Sequence, residues 1–356
     1  MQGLDAFIGT LAVTIMFAVS GLPISYYFLR DEEAIIRLIA SFFLGFSVFI
    51  SVEYWGGLIG IDFVSILTLF VIYSGAAILL ILKARSKVFW DMKKSAKALS
   101  VLAFLFLSSF FFLLSPLILS GDFKSILGYN GDLPTGASVA DFFVRSSLYG
   151  KTPNTYAHYV PVASIIYIFH AREAFLILLA AVSASTGFRS YMVYSMLSAL
   201  VTSLSVFTIY ILGKEFGLRS SVSFLLGLVL AFLPAQVWFY LDCFPIQLLG
   251  FSAMPISYVI VHRSIRSGNS RALVASGLLT SLVLVSHPMI GSIYAIAILV
   301  FVSCYVVKRG FSLNSIRYVA ILAVSVLILG APMVWEFMTY AMFHLSVTAG
   351  NIPTFP

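Results

Sequence analysis

The chain has 356 residues, 61% of them hydrophobic and only 10% charged, with a mean hydropathy of +1.04. A soluble domain carries about 25% charged residues, so a water-soluble globule is excluded and one membrane domain of apolar helices is expected from end to end. The net charge of +7 does not point to nucleic acid, because the basic residues crowd into short connections between apolar runs, where they set topology.

The first apolar run, 7–29, has only Asp5 as a charge before it and exceeds the length of a signal-peptide core, so it reads as a retained span. Runs 36–58 and 63–82 follow, then a basic stretch, 83–97, and a fourth run, 98–119. After a polar segment, 121–158, two short apolar pieces, 159–169 and 174–185, flank "HARE" at 170–173. Each is too short for an easy crossing, and the pair reads as a re-entrant hairpin or as surface helices. Six further runs, 190–213, 222–241, 245–262, 272–286, 288–307 and 316–337, bring the expected count to ten. Prolines 234, 245, 255, 288 and 332 lie in or beside these runs, and broken helices of this kind often line a cavity. Cys243 and Cys304 fall near opposite ends of different spans, which argues against a disulfide, and no zinc-type spacing occurs.

Counting lysines and arginines gives the orientation. With 83–97 in the cytoplasm and strict alternation, sixteen basic residues face inward, and only Lys124, Arg145, Lys151, Arg172 and Arg189 face outward. The segment 121–158 is then extracytoplasmic, as are both chain termini, in a multi-pass protein of the cell membrane.

That outward segment contains "GYNGDLPTGASVADFFVRSS". Gly131, Pro134 and Gly136 predict a turn around Asp132. Residues 138–149 read as a short amphipathic helix, with Val139, Phe142 and Phe143 on the face turned to lipid and Asp141 and Arg145 at ion-pair spacing on the other. A carboxylate on such a loop suits a general base toward a hydroxyl or a ligand for a divalent cation; the plainer alternative is a turn cap at Asp132 and a simple pair at Asp141. Other ionisable groups gather on the same side: Asp242, His287, Glu336 and His344 at outward ends of spans, His158 beside the loop, and Glu53 one turn below the end of the second span. His287, before Pro288, is either a helix-ending turn or a group facing substrate. Arg145, Lys151 and Arg189 are the outward cations able to grip a lipid phosphate, with headgroup anchoring the plainer role for the last two. His170 and Glu173 read as a polar turn.

Taken in order, "YVPVASIIYIF", "LLAAVSASTG", "YILGKEFG", "FYLDCFPIQLLG" and "LVSHPMIG", following the outward aspartate loop, resemble the GT-C superfamily of integral-membrane glycosyltransferases that use polyprenyl-phosphate sugars. The resemblance covers roughly 98–337. It implies an all-α, polytopic transmembrane helical bundle of about ten spans plus a re-entrant or juxtamembrane hairpin, with a GT-C-like module at 98–356 preceded by three extra spans in 1–97. It implies a catalytic acid on the first large outward loop, which by position falls on Asp132 with Asp141 second. Arg145, His158, His287, Asp242 and Glu336 become the substrate-binding candidates. A divalent cation, Mg or Mn, on Asp132 and Asp242, or else Arg145, would neutralise the departing phosphate. The loop departs from the family pattern in having no paired "DE" or "DxD", and the chain ends at Pro356 where many relatives continue. The partners implied are a polyprenyl-phosphate-linked sugar and membrane lipids, with a protein partner possible. Two other classes stand beside the enzyme: a flippase for a lipid-linked sugar, and a catalytically silent membrane scaffold subunit.

Overall fold

The structure, a computed structural model, describes residues 2–83, 85–121, 132–145, 173–233, 245–310 and 312–348. Among them are twelve helices and no strand: α1 Gln2–Phe28, α2 Ala34–Leu58, α3 Phe63–Lys83, α4 Arg85–Ser120, α5 Asp132–Arg145, α6 Glu173–Thr186, α7 Ser190–Glu215, α8 Ser220–Ala231, α9 Pro245–Ser267, α10 Ser270–Ser286, α11 Pro288–Arg309 and α12 Leu313–Thr348. Eight of the described helices, α1 to α4, α7, α9, α11 and α12, are long and apolar enough to cross a membrane. The expected span 272–286 coincides with a shorter apolar helix, α10 of 17 residues, and the expected span 222–241 begins with α8 of 12 residues, its part from 234 lying outside the described residues.

Burial separates the helices more sharply than hydropathy does. α2, α7, α9 and α10 form the centre, while α1, α3, α11 and α12 turn apolar side chains such as Ile72, Leu79, Leu299 and Ile328 outward. α7 can be buried all round because its polar residues are small and turn back on the helix: the hydroxyls of Ser198, Thr202 and Ser203 donate to the carbonyls of Tyr194, Ser198 and Ala199 at 2.7–2.8 Å. Small residues also set the tightest crossing. A Cβ on Gly21 would lie 1.7 Å from the Ser41 carbonyl oxygen, and one on Gly45 would lie 2.0 Å from that of Phe17, so α1 and α2 meet backbone to backbone. In the centre, the Tyr294 hydroxyl on α11 reaches Ser257 on α9 at 2.6 Å and Thr280 on α10 at 3.4 Å.

Three expectations change in contact with the structure. The basic stretch 83–97 is mostly helix, not loop: α4 runs 36 residues, about 54 Å at 1.5 Å per residue, well beyond the roughly 30 Å of a hydrocarbon core. The piece 174–185 is not a surface helix, because α6 from Ala174 to Val182 is buried among α1, α2, α5, α7, α9 and α10. The companion piece 159–169 and "HARE" lie outside the described residues, apart from the backbone of Glu173. The amphipathic helix begins at Asp132, earlier than expected. Its inward stripe, Ala137, Val139, Ala140 and Phe143, packs into the protein core, so Phe143 does not reach lipid.

The ends of the helices sort into two faces. On one, the α1–α2 connection, the start of α4 and the ends of α7 and α9 are joined by ion pairs. On the other, α5 meets the start of α7, and Thr186 at the end of α6 meets α1 at Gly9. The basic residues that alternation assigned to one side, among them Arg37, Lys214, Arg263 and Arg271, thus sit at helix ends belonging to a single face.

Candidate functional site

The α5 face carries the described candidates Asp132, Asp141, Arg145 and His287. Asp132 opens α5; an acidic residue in a first helical turn is favoured by the exposed N–H groups and the helix dipole, and Pro134 is tolerated there because the first-turn N–H groups have no intrahelical acceptor. The turn expected around Asp132 is therefore the first turn of a helix, and its side chain is outside the description. Asp141 does not pair with Arg145. Its Oδ1 instead accepts the Ser190 backbone N–H at 3.0 Å, one of the four N–H groups that a helix start leaves without an intrahelical acceptor. This single bond ties α5 to α7 and fixes two cations near it: Arg145, one turn along α5, and Arg189, the residue before Ser190. Both are exposed.

His287 both ends α10 and begins α11. Its Nδ1 accepts the Met289 N–H at 3.2 Å, its carbonyl accepts from Gly291 at 2.7 Å, and Pro288 supplies a first helical residue that needs no acceptor. The other ring nitrogen is engaged inside the bundle. With Nδ1 accepting, a neutral ring carries its proton on Nε2, which faces the Gln247 amide at 3.3 Å. Amide nitrogen and oxygen are distinguished only by their partners, so the Gln247 oxygen belongs toward that N–H. The remaining amide atom then stays buried with no partner among the described residues.

Glu53 completes this end. It lies on α2 five residues before Leu58, is fully buried, and has no hydrogen-bond partner for either carboxylate oxygen among the described residues. Charged groups inside a span are costly and usually face a functional cavity or a partner. The nearby start of α3 contrasts with it: Asp62 is exposed and accepts from the Ser65 N–H at 2.9 Å and the Ser65 hydroxyl at 2.7 Å, and these bonds hold its carboxyl below the usual range.

Of the remaining candidates, His158 and Asp242 lie outside the described residues, as do the side chains of Glu336 and His344; the backbone places the last two on α12. The Mg or Mn site expected on Asp132 and Asp242 therefore falls outside the description. Among the described residues no group of three or more His, Cys, Asp or Glu is arranged to hold a metal ion.

The opposite face holds a network that sequence reading treated only as topology. Arg263 on α9 donates to Glu215 Oε2 at 2.6 Å, to Glu33 Oε1 at 3.0 Å and to Glu32 Oε2 at 3.2 Å. His262 Nδ1 meets Glu215 Oε1 at 2.5 Å. Arg37 pairs with Asp91 of α4, both nearly buried, and lies over the Tyr26 ring at 5.1 Å. Burial pushes the Glu32 carboxyl up, against the pull of the Arg263 guanidinium. Asn269 donates to Asp31 at 3.0 Å while its oxygen caps α10 through Arg271 and Ala272. No family model, curated protein or solved structure matches the chain.

Proposed function

We propose that the chain is a membrane glycosyltransferase that moves a sugar from a polyprenyl-phosphate donor to an acceptor hydroxyl at the face carrying α5, with that face extracytoplasmic and the charged face cytoplasmic. The observation that supports it most is the Asp141–Ser190 bond, which pins α5 to the bundle so that the helix beginning at Asp132 is held at a fixed place. A carboxylate carried on an anchored helix has the backbone definition that a general base needs. In the reaction, the Asp132 carboxylate takes the proton of the acceptor hydroxyl and the acceptor oxygen attacks the anomeric carbon from the face opposite the phosphate. The bond from that carbon to the phosphate oxygen breaks, its electron pair leaves with the lipid phosphate, and the configuration inverts. Arg145 and Arg189, the exposed cations beside the Asp141–Ser190 bond, are the groups proposed to neutralise the departing phosphate. Gln247, with His287 behind it, offers a buried amide to a substrate polar group.

Purified protein incubated with radiolabelled polyprenyl-phosphate sugars tests this. Transfer is expected, and Asp132→Asn should lower its rate by about 10²-fold or more. Transfer that persists in Asp132→Asn removes the assignment of the base.

A second reading, movement of a lipid-linked sugar between leaflets, draws on Glu53, since an acidic residue buried within a span is a common element of transport. It predicts leaflet exchange of labelled lipid without transfer, lost in Glu53→Gln.

A further inference from the structure

Near the charged face, the last turns of α9 and α11 flank an open cleft of about 470 Å³, within the volume range of small-ligand sites. Helical spacing builds its walls. His262 and Arg266 are four residues apart on α9, and Phe301, Tyr305 and Lys308 recur at four and three on α11, so each set lines one stripe. The floor is apolar and aromatic: the Phe301 ring lies 5.1 Å from His262 and 6.0 Å from Tyr258. The rim is basic, formed by Arg266, Lys308 and Arg309.

Charge accounting shows what is missing. The acidic residues of this face are already engaged: Glu215 with His262 and Arg263, Glu32 and Glu33 with Arg263, Asp91 with Arg37, and Asp31 with Asn269 and Arg30. Among the described residues, Arg266, Lys308 and Arg309 have no acidic partner. Three cations over an aromatic floor, beside a helix that exposes Ile293, Ala297 and Val300 on the same flank as Cys304, combine phosphate recognition with a surface for hydrocarbon.

We propose that this cleft binds the headgroup of an anionic phospholipid from the leaflet on the charged face, the phosphate held by Arg266, Lys308 and Arg309 and the acyl chains lying along α11. The site is separate from the α5 face and does not depend on the reaction proposed there. A free phosphate uses the cations but gains nothing from the aromatic floor or the apolar side of α11.

The full chain in mixed micelles of phosphatidylcholine and phosphatidylglycerol, with co-purifying lipid counted by mass spectrometry, tests the proposal. Replacing Arg266, Lys308 and Arg309 together by Gln should reduce retained phosphatidylglycerol by about tenfold or more, because the three converge on one phosphate. Replacing Lys93, Lys94 and Lys97 by Gln removes equal charge from α4 and should leave retention unchanged. Equal losses in both variants overturn the site, as does displacement of the lipid by inorganic phosphate at the same concentration. A readout that leaves the cleft cations intact uses Cys304, an exposed thiol in the wall, as the sole cysteine after Cys243→Ser. Its maleimide labelling should slow in phosphatidylglycerol relative to phosphatidylcholine, and equal rates in the two lipids reject the proposal.

Discussion

At the charged face one guanidinium, that of Arg263, serves Glu32, Glu33 and Glu215 together, whereas near the α5 face Glu53 is buried with no described partner for either oxygen. Both arrangements place carboxylates among helix ends, but only the first neutralises them. A buried ion pair with its hydrogen bonds made holds helices in register, and removing one member leaves an uncompensated charge. A buried carboxylate without a described partner costs stability, and a role in function is one physical reason to retain it. The charged face thus has the marks of a clamp, and the other face those expected of the proposed site.

The largest test of this contrast is Asp91→Asn, which strands Arg37. It should cost about 3 kcal/mol in thermal or denaturant unfolding, and the double replacement of Arg37 and Asp91 by Met should recover most of that loss. A smaller change of opposite sign is expected at the other end. Glu53→Met should stabilise the protein by about 1 kcal/mol while abolishing any activity that uses the carboxylate; a destabilisation as large as that of Asp91→Asn would erase the distinction between the two ends.

The smallest effect concerns pH at Glu32. Its carboxyl is raised in the folded protein by burial, so the folded state holds the proton more firmly than the unfolded one. Stability from this group is therefore greatest below the ordinary glutamate value of 4.5, and it declines as pH rises through the higher folded value. Glu32→Gln should flatten that part of the stability profile measured in detergent, and an unchanged slope would assign it to another group.

Much of the helical architecture was legible because apolar runs of about 20 residues have few alternatives. What hydropathy could not separate was burial in protein from exposure to lipid. α6 and an ordinary span look alike in composition, and only the neighbours of α6 show that protein surrounds it. The pairing of charges was hidden for another reason. Asp141 lies four residues from Arg145, and local spacing favoured that partner, yet it accepts the backbone N–H of Ser190, 49 positions away. Arg37 and Asp91 are likewise 54 apart, and Glu215 and His262 are 47 apart. His287 could be singled out from its place before Pro288, but Gln247 was passed over within the quoted "FPIQLLG". A glutamine near the start of an apolar span, shortly after Pro245, was the signal available there.

The seam where Gly21 and Gly45 bring α1 against α2 has a mechanical consequence. Its contacting surfaces are carbonyls and amides, which have no rotamers, so a fluctuation there cannot be absorbed by swinging a side chain aside and must displace an entire helix. The first hairpin is consequently the stiff post of the molecule, and larger fluctuations are expected in the more thinly packed outer helices, α3 and α11.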